Sequence, residues 1–136
     1  MTISNSTFYT DLYTAVRNIL LVASLETTLG DNPEVLGSYN DKKVTRPQVI
    51  IEPAEISEAR YKFGSNEGKK FVNLSISIYA SKRKFVNELA QQVEVAMKGT
   101  DLDDLALVAM DIDNAFVNPN EAKYHLTTLT FTFDRE

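Results

Sequence analysis

The sequence predicts an α+β fold in which a mainly antiparallel sheet of four to five strands carries two helices packed on one face. Two observations lead to this prediction. In residues 72–80 apolar and polar side chains alternate, which is the two-residue period of a strand with one dry face. Residues 81–99 follow directly and repeat apolar side chains every three or four positions, as an amphipathic helix does. The helix therefore supplies the cover that the dry strand face requires.

A first helix is predicted over residues 7–28, because apolar side chains recur there at three- and four-residue intervals. The predicted N-terminal cap is Asn5 or Ser6, and Gly30 is the predicted closing residue. Residues 30–47 are rich in Gly, Pro, Asn and Asp, which predicts an irregular loop long enough to be a candidate contact loop. The apolar stripe of the helix consists of Phe8, Leu12, Val16, Ile19 and Ala23.

Two short strands are predicted before the alternating one. Residues 48–52 form an apolar run, and the prolines on either side, Pro47 and Pro53, make that strand start and stop sharply. Residues 55–63 predict a further strand that leads into a glycine-containing turn at residues 64–68.

The second helix and two closing strands complete the predicted order. Ser81 is the predicted N-terminal cap of the helix, and Gly99 is its predicted left-handed C-terminal residue. Residues 105–117 and 124–133 predict two strands around a turn, and the second of them alternates apolar residues with threonines. The predicted buried stripe of the helix is Phe85 or Val86, Leu89, Val93, and Ala96 or Met97.

Length and composition limit the class of protein. The 136 residues, 43% of them apolar, are enough for one compact domain spanning residues 1–136. The absence of cysteine excludes disulfides, thiolate metal sites and a cysteine nucleophile. The first residues lack the features of a signal peptide, so we expect a soluble protein that is not exported by its own sequence. A net charge of −5 argues against a broad nucleic-acid-binding surface, although an acidic protein can surround DNA without gripping it.

Few residues offer catalytic chemistry. His125 is the only histidine, and no serine stands in a recognisable nucleophile motif. Asp111 and Asp113 project from one side of a predicted strand and, with Asp103 and Asp104, form a candidate cation or acid–base site. The apolar residues between them match no calcium loop. We therefore expect no enzyme, no metal and no cofactor. The alternative is a small ligand-binding or hydrolytic domain that uses Asp111, Asp113 and His125.

Two basic segments are candidate contacts with an anion or a partner. The run GSNEGKK at residues 64–70 lacks the spacing of a phosphate-binding loop and joins a strand to a strand, so we interpret it as a hairpin tip. Lys82, Arg83 and Lys84 lie in the first turn of the second helix, where positive charge opposes the helix dipole. Either this terminus is simply solvated or it meets a negatively charged partner.

Four segments carry a resemblance to a known family. They are the N-terminal helix that ends in a loop, the entry strand RPQVIIEP, the strand FVNLSISIYA leading into FVNELAQQVEVAMKG, and a closing hairpin that ends at TLTFTFD. In this order they resemble the small tail terminator, or tail-completion, proteins of long-tailed bacterial and archaeal viruses, the family of minor tail protein U. The resemblance covers most of the chain.

The resemblance implies a structural virion protein assembled in the host cytoplasm. Such proteins form a ring, typically a hexamer, at the head-proximal end of the tail tube, where the ring ends tube polymerisation and joins the tail to the head. The implied partners are further copies of the chain, the tail tube protein and the head–tail connector proteins. DNA passes through the lumen without specific binding, and no membrane is involved. The runner-up roles are a neck or head-completion protein on the portal side, and the terminator of a contractile tail.

The candidate assembly contacts are the hairpin of residues 60–70 and the loop of residues 39–46. Both mix aromatic and basic residues, which is the composition of interface anchors. The alternative is that both are ordinary surface connections. The candidate interface residues are Tyr39, Lys42, Lys43, Arg46, Arg60, Tyr61, Phe63 and Lys69.

Overall fold

The computed structural model describes residues 8–27, 33–37, 47–60, 68–99, 102, 105–117 and 124–135. In these residues two helices and six strands follow one another along the chain. Of the helices described, neither is long and apolar enough to cross a membrane. The elements are α1 (Phe8–Val22), β1 (Glu34–Leu36), β2 (Gln48–Ile51), β3 (Glu55–Arg60), β4 (Gly68–Ala80), α2 (Arg83–Lys98), β5 (Leu105–Val117) and β6 (Tyr124–Arg135).

The six strands form one sheet in the order β1-β2-β4-β6-β5, with β3 also beside β4. The long strand β4 is central, since its first half pairs with β3 and its second half pairs with β2, both antiparallel. On its other side β4 pairs with β6, and β6 pairs with β5, again antiparallel. Among the described strands, β1 and β2 make the single parallel pair. The predicted mainly antiparallel sheet is confirmed.

Both helices cover the same face of the sheet, as predicted. α2 packs on β4 and β6, and α1 packs on α2, β1 and β2. Strand side chains alternate between faces, so every second residue of β4 and β6 enters the core beneath the helices. The apolar residues of these two strands that are buried on this face are Val72, Leu74, Ile76, Ile78 and Ala80 in β4, and Leu129, Phe131 and Phe133 in β6.

The buried stripe of α2 agrees with the sequence, but its two predicted ends do not. The N-cap is Lys82, which makes no side-chain capping hydrogen bond, so the prediction of Ser81 was wrong. Gly99 is the C-cap with φ −85°, a right-handed conformation, and its N–H donates to the carbonyl of Val95. A left-handed residue is therefore not needed here. The residues of α2 that are buried are Phe85, Val86, Leu89, Val93 and Met97.

α1 ends at Val22, well before the predicted end at residue 28. Ser24 ends the helix instead of Gly30, because it takes a positive φ of 53° and turns the chain out of the helical direction. Two consequences follow from the shorter helix. Ala23, assigned to the apolar stripe, is exposed outside α1, and Leu25 is buried beyond the turn. Asn5, Ser6 and Gly30 lie outside the described residues.

β1 adds a strand where the sequence predicts an irregular loop. Glu34–Leu36 runs parallel to β2, with Val35 beside Val49. Val35 is buried and belongs to the core that α1 covers. A three-residue strand between Pro33 and Gly37 is too short to show periodicity, so pairing with β2 decides its conformation. The sheet therefore has six strands instead of four to five.

Candidate assembly surfaces

The sheet face opposite the helices carries a ladder of paired polar side chains at the junction of β4 and β6. Thr132 Oγ1 donates to Asn73 Oδ1 at 2.8 Å, and the hydroxyl oxygens of Ser75 and Thr130 lie 3.1 Å apart. The threonines that alternate with apolar residues in β6 thus form hydrogen bonds with polar side chains of β4 across the junction. The side chains of this ladder are hydrogen-bonded to one another within the chain, so they are not free ligand-binding groups.

Ser77 joins this ladder to β2 and the segment after it. Its hydroxyl donates to Glu52 Oε1 at 3.0 Å, and its oxygen lies 3.1 Å from Thr128 Oγ1. Because a hydroxyl has one hydrogen, Thr128 is the donor in the second contact. Ser77 is 1% exposed, so these bonds replace the water that it loses on folding.

The candidate acidic residues and the histidine lie on opposite faces of the sheet. Asp111 stands opposite Thr130, and Asp113 opposite Thr128, so both carboxylates are on the ladder face, where they are exposed. His125 stands opposite Ala80, whose side chain is in the core beneath the helices. The structure therefore does not bring the three residues together. No group of three or more metal-binding side chains occurs in the described part of the chain, which omits Asp103 and Asp104.

Arg83 is engaged within the chain. Its Nη1 donates to Asn114 Oδ1 at 3.1 Å and to Thr127 Oγ1 at 3.4 Å, and Thr127 in turn donates to Asn114 at 2.7 Å. This cluster ties the first turn of α2 to the edge strand β5. Lys82 lies with its Nζ 5.7 Å from the centre of the Phe85 ring. Two of the three basic residues at the start of α2, Lys82 and Arg83, thus contact other side chains of the chain.

An open groove of about 520 Å³ lies between the start of α1 and the segment after β2. Its walls are mainly apolar and include Tyr9, Tyr13, Ile51 and Pro53. Among the described lining residues Glu52 is the only carboxylate, and it already accepts a hydrogen bond from Ser77. The other polar side chains of the described lining are the hydroxyls of Tyr9, Thr10 and Tyr13.

β5 is one free edge of the described sheet. It is 13 residues long, and on its outer side no described strand pairs with it. A register shift between Leu107 and Ala109 leaves Val108 as an extra residue in a bulge. Val108 is 54% exposed and Ile112 is 48% exposed. Among the described strands, the outer backbone groups of β5 have no partner, and apolar side chains lie beside them, which is the combination to which another strand can be added.

β3 is a second free edge, on the other side of β4. In the part of the chain that the structure describes, β3 pairs with β4 alone, from Glu55 beside Asn73 to Arg60 beside Gly68. Ile56 on this strand is 38% exposed. The predicted hairpin is confirmed by this register, which leaves residues 61–67 to connect the two strands.

The candidate interface residues fall in two groups. Arg60 ends β3 and Lys69 lies beside Ala59 at the start of β4, so both backbone positions are at the free end of the hairpin. The other six, Tyr39, Lys42, Lys43, Arg46, Tyr61 and Phe63, lie outside the described residues.

The exposed apolar residues of the two edges, Ile56, Val108 and Ile112, were not among the sequence candidates. Alternation shows that a residue is in a strand, but whether that strand is an edge depends on strand order. No local sequence signal gives that order.

Comparison with known proteins identifies a shared fold. No protein-family model matches the chain, and no curated protein matches it. Among solved structures, the chain is similar to a chain of the virion of a native gene transfer agent particle, with a TM-score of 0.59 and 17% sequence identity. The likeness covers 92% of this chain and 94% of that chain. The two chains therefore have the same fold over nearly their whole lengths.

Proposed function

We propose that this chain is a structural protein of a virion and, more specifically, a tail terminator. In this role it forms a hexameric ring at the head-proximal end of a tail tube, ends tube polymerisation and joins the tail to the head connector. The observation that carries the proposal is the fold shared with a virion chain over 92% of this chain. The segment order that resembles the tail terminator family supports the finer assignment.

The geometry suits an assembly protein. A ring needs two different contact surfaces on each copy, because its subunits meet head to tail. The described sheet is open: β5 forms one edge, and β1 and β3 form the edge on the other side of the β4–β6 pair. The net charge of −5 suits a lumen through which DNA passes without being held. The partners in this proposal are further copies, the tail tube protein and the connector proteins, in a virion assembled in the host cytoplasm.

We assign no catalytic role to the chain. The alternative enzyme would combine Asp111 and Asp113 with His125, and these residues lie on opposite faces of the sheet. The proposed contact elements remain the hairpin of residues 60–70 and the loop of residues 39–46, with Tyr39, Lys42, Lys43, Arg46, Arg60, Tyr61, Phe63 and Lys69 as the contact residues.

The proposal is tested by class averaging of the purified protein in negative stain over a concentration series, with and without magnesium, and by light scattering for mass. We expect rings with a central hole and a mass of six chains of 15.3 kDa each. Adding the protein to growing tubes of its partner tail tube protein then separates the roles. A terminator shortens the tubes and labels one end, whereas a head-completion protein leaves their length unchanged. A monomer under every condition, with no effect on tubes, contradicts the proposal.

A further inference from the structure

A polar cleft of about 510 Å³ lies between the segment after α1 and the middle of α2. Every described residue that lines the cleft is polar, and two of these residues carry carboxylates. No lysine or arginine is among the described lining residues, so the cleft suits a cation that comes from elsewhere. The described lining residues are Ser24, Glu26, Thr27, Glu88 and Gln92.

Gln92 holds the two sides of the cleft together. Its Nε2 donates to the carbonyl oxygen of Glu26 at 2.7 Å, and its Oε1 accepts from the N–H of Glu26 at 2.9 Å. Both bonds are made to the backbone of Glu26, and Glu26 is exposed. Glu88 lies one turn before Gln92 on the same side of α2. The two carboxylates are therefore carried by segments whose relative position is fixed at Gln92.

Thr27 is independent evidence for a missing hydrogen-bonding partner. It is only 4% exposed, and in the described part of the chain its Oγ1 has no hydrogen-bond partner. Buried hydroxyls are normally hydrogen-bonded, because burial without a partner destabilises the folded chain. Since Thr27 lines the cleft, a donor that binds there could supply the bond.

The end of α1 adds negative potential beside the cleft. α1 ends at Val22, and the last turn of this fully described helix contains no basic residue. The C-terminal end of a helix carries a partial negative charge and favours a nearby cation. Ser24, two residues beyond the end of α1, lines the cleft. The helix end and the two carboxylates thus favour the same kind of ligand.

We infer that the cleft receives a lysine or arginine side chain from the β3–β4 hairpin of a second copy. This contact rests on the proposed function, because it names the surface that the basic hairpin of a neighbouring subunit meets. Ammonium and guanidinium groups only donate hydrogen bonds, whereas carboxylates accept them and a hydroxyl can do so. The hairpin end, residues 58–60 and 68–70, is basic: its charged residues are Arg60, Lys69, Lys70 and Glu58.

The charges favour a contact between these unlike surfaces over a symmetric contact. Two clefts facing each other would bring their carboxylates together, and two hairpin ends would bring their basic residues together. Like charges across an interface cost several kcal/mol. The cleft belongs to the helices, whereas the hairpin end belongs to the sheet. Each copy therefore presents two different surfaces, as a ring with head-to-tail contacts requires.

The test exchanges the charges of the two surfaces. Glu26→Lys/Glu88→Lys makes the cleft basic, and Arg60→Glu/Lys69→Glu makes the hairpin end acidic. For each double variant alone, light scattering should show the concentration for half-maximal assembly raised about tenfold or more, because like charges meet at every contact. An equimolar mixture should restore assembly, since alternating copies join opposite charges at both contacts. Circular dichroism verifies that each variant is folded.

Asp111→Lys/Asp113→Lys is the matched control for the cleft variant. It makes the same change in net charge at two exposed residues on the sheet face away from the helices. It should leave assembly nearly unchanged. If the control weakens assembly as much as the cleft variant does, total charge governs assembly and the cleft contact is overturned.

Thr27→Val separates binding from folding, because it removes the buried hydroxyl at nearly constant volume. The melting temperature of the monomer should stay the same or rise, since an unpartnered buried polar group is lost. The concentration for half-maximal assembly should nevertheless rise about threefold or more, because the incoming side chain loses an acceptor. Unchanged assembly would overturn the part assigned to the hydroxyl.

The remaining outcomes distinguish the contact from the ring. Normal rings from the cleft variant would overturn the cleft contact and leave the proposed ring intact. Two impaired double variants whose mixture stays impaired would overturn the hairpin of a second copy as the occupant. A wild-type chain that stays monomeric at all concentrations and has no effect on tail tubes would contradict both the contact and the proposed function.

Discussion

Ser77 Oγ and Thr128 Oγ1 lie 3.1 Å apart across the β4–β6 junction, on the face away from the helices. The same serine donates to Glu52 at 3.0 Å, so one buried hydroxyl connects β6, β4 and the end of β2. This contact links β4 to its neighbours on both sides. The polar ladder therefore adds side-chain hydrogen bonds to the backbone pairing that sets the order of these strands.

We expect Ser77→Ala to lower the free energy of unfolding by about 1–2 kcal/mol, because Thr128 and Glu52 both lose a partner in a poorly hydrated place. Urea unfolding followed by circular dichroism measures this change. Ser75→Ala is the control: Ser75 is only partly buried and contacts Thr130 alone among side chains with described bonds. Its effect should be smaller. Equal effects would mean that the second bond of Ser77 adds nothing.

Leu89→Ala should lower the free energy of unfolding by about 2–5 kcal/mol, because it leaves a cavity between α2 and the sheet. Leu89 is 0% exposed at the centre of the α2 stripe. Val95→Ala, on the exposed side of the same helix, should change it by less than about 0.5 kcal/mol. Denaturant titration of both variants gives the comparison. A loss of less than about 1 kcal/mol for Leu89→Ala would contradict the core assigned here.

The elements with a strong hydrophobic period could be predicted from the sequence. A very short strand and a helix end set by one residue's backbone conformation could not. The stripe containing Leu89 and the alternation in β4 were correct because one face of each element is buried over its whole length. β1 was missed because three residues show no period. The end of α1 was misplaced because Ser24 takes a conformation usually associated with glycine.

The candidate site was predictable only in outline. A basic hairpin was evident from GSNEGKK, and its register in β3 and β4 agrees with that interpretation. The separation of Asp113 from His125 depends on which face each strand turns to the helices, and sequence spacing does not give this. The exposed residues Ile56 and Val108 became meaningful only once their strands were known to be edges.

Ser24→Gly should raise the free energy of unfolding by about 0.5–1 kcal/mol. Ser24 has φ 53°, a conformation that costs a residue with a Cβ about 1 kcal/mol and costs glycine almost nothing. Thermal and urea unfolding measure the change. Ser24→Val should act in the opposite direction, because a β-branched side chain fits this region poorly. Stabilisation by valine would show that the turn does not keep this conformation in solution.

The double variant Tyr61→Ala/Phe63→Ala should impair assembly while leaving the melting temperature of the monomer nearly unchanged. Both residues belong to the proposed contact hairpin, and aromatic side chains are frequent interface anchors. Light scattering over a concentration series measures assembly, and differential scanning fluorimetry of dilute protein measures the melting temperature. A fall of many degrees would place these side chains in the core and remove them from the proposed contact.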